Sequence, residues 1–182
     1  MIKQFADSIR PVLEFPFVRR TRRNHALEHA TIHMLSRKHR RLRVAGRASD
    51  GGFVLIGEVP TDHVEAAVDE ALKRMKRGER GLAVHPNCGT NLVTTGFMTT
   101  LAGYLGLKGG SNQRVSLDRF SFTMSLMVLA LIISQPIGMS LQRHITTDGN
   151  PGDLELVSVK RREFKWFWGG NIIIHNIITR RG

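Results

Sequence analysis

Three histidines, His25, His29 and His33, recur at four-residue intervals in Asn-His-Ala-Leu-Glu-His-Ala-Thr-Ile-His-Met-Leu-Ser-Arg-Lys-His, residues 24–39. A helix advances about 100° per residue, so each imidazole is displaced about 40° from the one before, and the three form a ladder along one side. Glu28 falls about 60° to the other flank of His25, while Leu27, Ala30 and Met34 fall together on the opposite side. Such a helix has an apolar back for packing and a front of imidazoles with one carboxylate, which burial alone would not select. His25-Ala-Leu-Glu28-His29 is H-x-x-E-H, the inverted form of H-E-x-x-H. Two imidazoles one turn apart can bind one Zn²⁺, and an adjacent carboxylate can take a proton from a metal-bound water. His25 and His29 are therefore candidate ligands and Glu28 the candidate general base. The plainer alternative is a His-rich solvated face; ligation of haem or chlorophyll is another.

A catalytic zinc site needs a third protein ligand and one open position. Cys88, the single cysteine, lies in Pro86-Asn87-Cys88-Gly89-Thr90-Asn91, after a short stretch, Gly81-Leu-Ala-Val-His85, that reads as a strand. It would complete a His₂Cys set and leave the fourth position to water, with His33 or His85 as possible substitutes or additional ligands. A free cysteine is also often a small buried residue and nothing more.

The intervening elements must hold these groups. Residues 40–47 alternate basic and apolar, and Asp50-Gly51-Gly52 separates them from Phe53–Val59, a hairpin pattern that leaves Arg41, Arg43 and Arg47 on one face. Pro60-Thr61 opens a helix with Val64, Ala67, Val68, Ala71, Leu72 and Met75 at helical spacing, acidic residues in its first turn and basic ones in its last. The fold class expected is α+β: a small mixed domain of helix, hairpin, helix and strand over 24–89, after a basic amphipathic lead at 1–23. A transmembrane helical hairpin (90–107 and 120–141) and a β-rich tail at 142–182 follow.

The order of H-x-x-E-H helix, hairpin, helix and then cysteine resembles the inverted-zincin metallohydrolases of the S-ribosylhomocysteine lyase and mitochondrial-processing-peptidase or pitrilysin type. That resemblance implies metal ligation by His25, His29 and, more loosely, Cys88, with Glu28 in the catalytic role. The lyase uses a second cysteine that this chain lacks. The pitrilysin type uses a distant glutamate as third ligand, for which Glu58, Glu65, Glu70 and Glu79 are the candidates here. The stretch Arg23–Leu92, with HALEHATIH and HPNCGTN, more closely resembles an uncharacterised family of small bacterial membrane proteins, which implies no activity.

The formal charge is +12, and 17 of the 27 Lys and Arg lie within residues 1–80. That balance calls for a polyanionic partner, an anionic lipid surface or nucleic acid; with no RNA-binding fingerprint present, lipid is favoured. One cysteine excludes an internal disulfide and leaves the redox compartment open. No signal-peptide cleavage pattern is seen near Met1. Residues 120–141 carry no charge, and 22 residues at about 1.5 Å each reach about 33 Å, enough to cross a hydrocarbon core. Residues 90–107 are also uncharged but richer in Thr and Gly; Gly96, Ala102, Gly103 and Gly106 give them a small-residue surface for close helix packing. Lys and Arg number three in the connection at 108–119 and seven after Leu141. The positive-inside rule then places both termini and the mixed domain on the cytoplasmic side of the cytoplasmic membrane. In the tail, Leu154–Val159 and Phe164–Trp168 read as two strands joined by Lys160-Arg161-Arg162, with Trp166 and Trp168 suited to a membrane interface; Gly169-Gly170 reads as a turn into Ile172–Ile178.

These features favour a membrane-anchored zinc hydrolase, such as a peptidase acting on a protein or peptide. The alternative is a non-enzymatic accessory or assembly subunit of a membrane complex holding a structural metal or a pigment. A basic nucleic-acid-binding protein is a weaker third class.

Overall fold

The computed structural model describes residues 1–108, 116–165 and 171–182. The Gly109-Gly110-Ser111 connection, the two tryptophans and the Gly169-Gly170 turn fall outside them. The described chain is α+β and divides into two compact units, residues 1–85 with 142–182, and residues 86–141.

In the first unit, short helices α1 (Ile2–Ser8) and α2 (Arg10–Leu13) lead into α3 (Pro16–Lys38). The basic lead is therefore helical, and the histidine helix begins eight residues before Asn24. Pro16 at the first helical position explains the start: its fixed φ suits a helix and its missing N–H costs nothing there. Ala6 and Leu13 of the lead are buried, whereas Phe5, Val12, Phe15 and Phe17 are exposed. The back of α3 packs as its spacing requires, with Ala26, Leu27, Ala30, Met34 and Leu35 all buried.

A hairpin, β1 (Ala45–Ser49) and β2 (Gly52–Ile56), follows. The first strand starts later than the alternation at 40–47 suggests, because Leu42 and Val44 already pack against the core. Ser49 pairs with Gly52, which leaves Asp50-Gly51 as a two-residue turn. Gly52 has φ +141°, and a Cβ there would collide with the Ile177 carbonyl, so no other residue fits. Helix α4 (Thr61–Lys76) buries Val64, Ala67, Val68, Ala71, Leu72 and Met75, the six residues its period selects. The tail does not break at its basic stretch. Glu155–Lys165 is one strand, β3, and Asn171–Arg180 is β4. A Lys-Arg-Arg run needs no break when its side chains reach solvent from a strand edge.

The sheet order is β1-β2-β4-β3, antiparallel throughout. The C-terminal strand lies between the hairpin and β3, so the two ends of the sequence share one core. On the face beneath α3 and α4, Phe53 pairs with Ile177 and Leu55 with His175. Asn24 locks the arrangement from α3: its amide donates to the Ser49 and Asp50 carbonyls at 2.9 and 3.1 Å, and its oxygen accepts from the Thr179 hydroxyl at 2.8 Å. It is fully buried. Asn24→Ala should lower stability by about 2–3 kcal/mol, since buried partners are left unsatisfied; a thermal melt of the purified protein measures the loss.

In the second unit, α5 (Gly89–Lys108) and α6 (Leu117–Leu141) pair. Gly106 meets Thr123 and Gly103 meets Met127, while Gly138 meets Asn91. Gly96, expected on the same surface, has no neighbour among the described residues where a Cβ would stand. The burial pattern of this pair is inverted: Asn91, Thr94, Thr123 and Ser134 are buried, and Leu92, Val93, Phe97, Phe120, Phe122, Val128 and Ile132 are exposed. Thr95 and Ser134 share a hydrogen bond of 2.7 Å between the helices. One helix among the described residues, Leu117–Thr146, is long and apolar enough to span a membrane.

Candidate metal centre

Within the first unit, α3 points its histidine ladder at two irregular segments. One is a 3-10 turn, Arg80–Ala83, where a strand is expected; the other is a π-helical turn, Gln142–Thr146. The first segment is not a strand because its carbonyls serve side chains. His29 Nδ1 donates to the Ala83 carbonyl at 2.7 Å, and His33 Nε2 to the Val84 carbonyl at 3.0 Å. His25 Nδ1 likewise donates to the Thr146 carbonyl at 3.0 Å. A backbone acceptor on Nδ1 fixes the tautomer in which Nε2 carries the lone pair, as in most metal-bound histidines. In His25 and His29 the lone pair is therefore on Nε2. Their ring centroids are 4.4 Å apart. His33 spends its Nε2 on the chain.

His25 and His29 of the first unit, with Cys88 at the start of the second, are a group that could hold a metal ion. His29 and Cys88 are buried, His25 partly so. Imidazole nitrogen and cysteine sulfur are donor types that transition metals take, Zn²⁺ among them. The Thr90 N–H points at Cys88 Sγ from 3.4 Å, at the start of α5, a donor suited to a thiolate. His33 and His85 are not in the three-residue group. The His85 ring lies 5.0 Å from that of His33 and 6.0 Å from that of His29. Burial, and then the neighbouring His33, lower the His85 pKa and favour its neutral form. Of the distant glutamates considered as ligands, Glu70 and Glu79 pair with Arg74 instead.

Glu28 is buried, and its carboxylate lies against Gly46 of β1 so closely that a Cβ at residue 46 would overlap it. Gly46 faces the helices because it pairs with Leu55. Gly46→Ala should displace the carboxylate and cost about 1–3 kcal/mol; a thermal melt detects the cost, and metal content reports whether α3 shifts with it.

Three supporting residues are not apparent from the sequence. Arg22 donates to the Ile145 carbonyl at 2.7 Å, Thr147 at 3.2 Å, Leu13 at 3.3 Å and His144 at 3.4 Å, and so fixes the segment that orients His25. Gln142, fully buried, accepts the His85 N–H at 2.9 Å. Gly46 is the third. Arg22 sits one turn before the ladder in an Arg-rich run, where nothing singles it out. Gln142 carries one faint signal, an amide directly after an apolar span.

Comparison with known proteins places residues 20–159 in one domain family of unknown function, DUF6391. The chain belongs to the DUF6391 family. An uncharacterized protein of Picosynechococcus sp. (strain ATCC 27264 / PCC 7002 / PR-6) is 31% identical over 153 residues, covering 78% of this chain and 71% of that one. No solved structure matches. The DUF6391 match includes α3 from Arg20 onward, the Cys88 turn, both helices of the second unit and Gln142, so Arg22, His25, Glu28, His29, Gly46 and Cys88 all belong to the family domain.

Proposed function

We propose that the protein is a membrane-anchored, zinc-dependent hydrolase, with a peptidase as the leading form. His25, His29 and Cys88 would hold the metal. The observation that carries this is the pair of Nδ1–H bonds to the Ala83 and Thr146 carbonyls, which puts the lone pair of both rings on Nε2, the tautomer of most metal-bound histidines. Zinc bound there would supply an acidified water and a Lewis acid. The chain's own part is to orient both imidazoles through its backbone, to exclude bulk water by burial, and to offer Glu28 on the same helix as the proton acceptor. The test is metal-dependent cleavage of unstructured polypeptide by the purified full chain. Activity lost to a chelator and restored by stoichiometric zinc supports the proposal; cleavage indifferent to the chelator opposes it.

The anchor would be α5 with α6. Polar and small residues between the helices and apolar ones outside match what lipid demands of a membrane pair. The exposed aromatics of the lead and the excess of positive charge before residue 81 would meet anionic lipid, with both termini cytoplasmic. A second possibility, an accessory subunit with a structural metal, is favoured by the burial of Glu28, His29 and Cys88. A fourth protein donor, such as His85, would then close the coordination shell.

A further inference from the structure

Beside the histidine ladder, wholly within the first unit, lies a cavity of about 450 Å³. Three arginines line it, Arg22, Arg80 and Arg143, together with Asp148 and the glycines Gly81 and Gly149. Asp148 offsets them only in part: its charge acts on Arg22, but it is also paired with Arg23 at 3.3 Å. Arg22 commits four of its five donors to backbone carbonyls, so it contributes chiefly charge. Arg80 and Arg143 are exposed, and among the described residues neither forms an ion pair. The walls also matter. Ala83, whose carbonyl holds His29, lines the cavity, and so does Thr147, next to the residue whose carbonyl holds His25. Gly149 keeps the two walls close: a Cβ there would stand 3.1 Å from both the Arg80 Cβ and its carbonyl oxygen.

We propose that this cavity is an oxyanion-binding site, in which Arg80 and Arg143 grip the phosphate or carboxylate group of a small anionic substrate while Arg22 supplies fixed positive charge behind them. A guanidinium matches either group by paired N–H donors, and positive charge in a concave wall concentrates anions. The volume lies in the range of small-molecule sites. Naming an anionic substrate rests on the hydrolase proposal; the anion site itself does not.

The experiment is calorimetric titration of the full chain in detergent with inorganic phosphate and, separately, with succinate, at constant ionic strength set by chloride. The result expected is saturable binding of at least one of the two anions. Arg80→Gln with Arg143→Gln should weaken it roughly tenfold or more, with metal content and melting temperature unchanged. Cys88→Ser, at a residue that does not line the cavity, should lose metal yet keep anion binding, which separates failure of one proposal from failure of the other. No saturable binding of either anion, or binding that the double substitution leaves intact, overturns the proposal. If the double variant melts early, Arg80→Lys with Arg143→Lys replaces it; restored stability with binding still weakened supports the proposal, and full binding opposes a paired guanidinium grip.

Discussion

His29→Ala is expected to bring bound metal from about one equivalent to less than a tenth of that. Two effects act together. The substitution removes a ligand nitrogen, and it removes the Nδ1–H that holds the 3-10 turn through the Ala83 carbonyl at 2.7 Å. Losing an outer hydrogen bond alone typically costs 10- to 100-fold in metal affinity, and losing a ligand costs more. Because metal bound only to the folded state stabilises it, the wild type should melt earlier after chelation. The variant should melt at or below the temperature of the chelated wild type and should not respond to chelator. Metal analysis beside thermal melts with and without chelator measures both.

Glu28→Gln should keep the metal and lower hydrolysis by about 10²- to 10⁴-fold, the usual contribution of a positioned general base. Gln has nearly the same shape as Glu and should fit the space that Gly46 leaves. A variant that lost both metal and fold would assign Glu28 to the architecture. One that kept activity would remove it from the chemistry.

A smaller effect is expected from His175, buried beneath α4 with its Nε2 3.2 Å from the Thr61 hydroxyl. Burial, and then Arg161, lower its pKa from the ordinary 6.5. The unfolded chain therefore binds the extra proton first as pH falls below about 6.5. Stability is fully present above that value and declines below it, until the folded-state pKa is passed. Denaturant melts across pH 4–8, a span chosen around that pKa, should show this slope, and it should be smaller in His175→Gln.

The periodic helices were legible in the sequence. In α4 the apolar period picks out the buried residues, because one face lies on the core and the other on solvent; in α3 it picks out only the apolar ones, because Asn24, Glu28, His29 and Thr31 are buried as well. The pairing of His25 and His29 was legible for the same reason, since a four-residue interval fixes direction on a helix. Three features were not. The Gly81–His85 stretch has strand composition, yet its carbonyls are taken by histidine side chains, a tertiary demand that no local pattern records. The strand break placed at Lys160–Arg162 came from treating a basic run as a loop, whereas β3 carries it along one edge. The small-residue surface of α5 includes Gly103 and Gly106 but not Gly96, which lies off the face that α6 covers although its neighbour Thr95 bonds Ser134; composition does not say which face a partner takes. Cys88 could be suggested only from its residue type, because which side chains it groups with depends on the fold and on no local pattern.

X-ray absorption at the zinc edge of the purified full chain, with metal quantified in the same sample, reads the proposed centre directly. A His₂Cys site predicts one zinc per chain with one sulfur at about 2.3 Å and two nitrogens at about 2.0–2.1 Å, plus a lighter fourth scatterer from water. The sulfur should vanish in Cys88→Ser. A metal-free protein, or zinc surrounded by nitrogen and oxygen alone in the wild type, would contradict it.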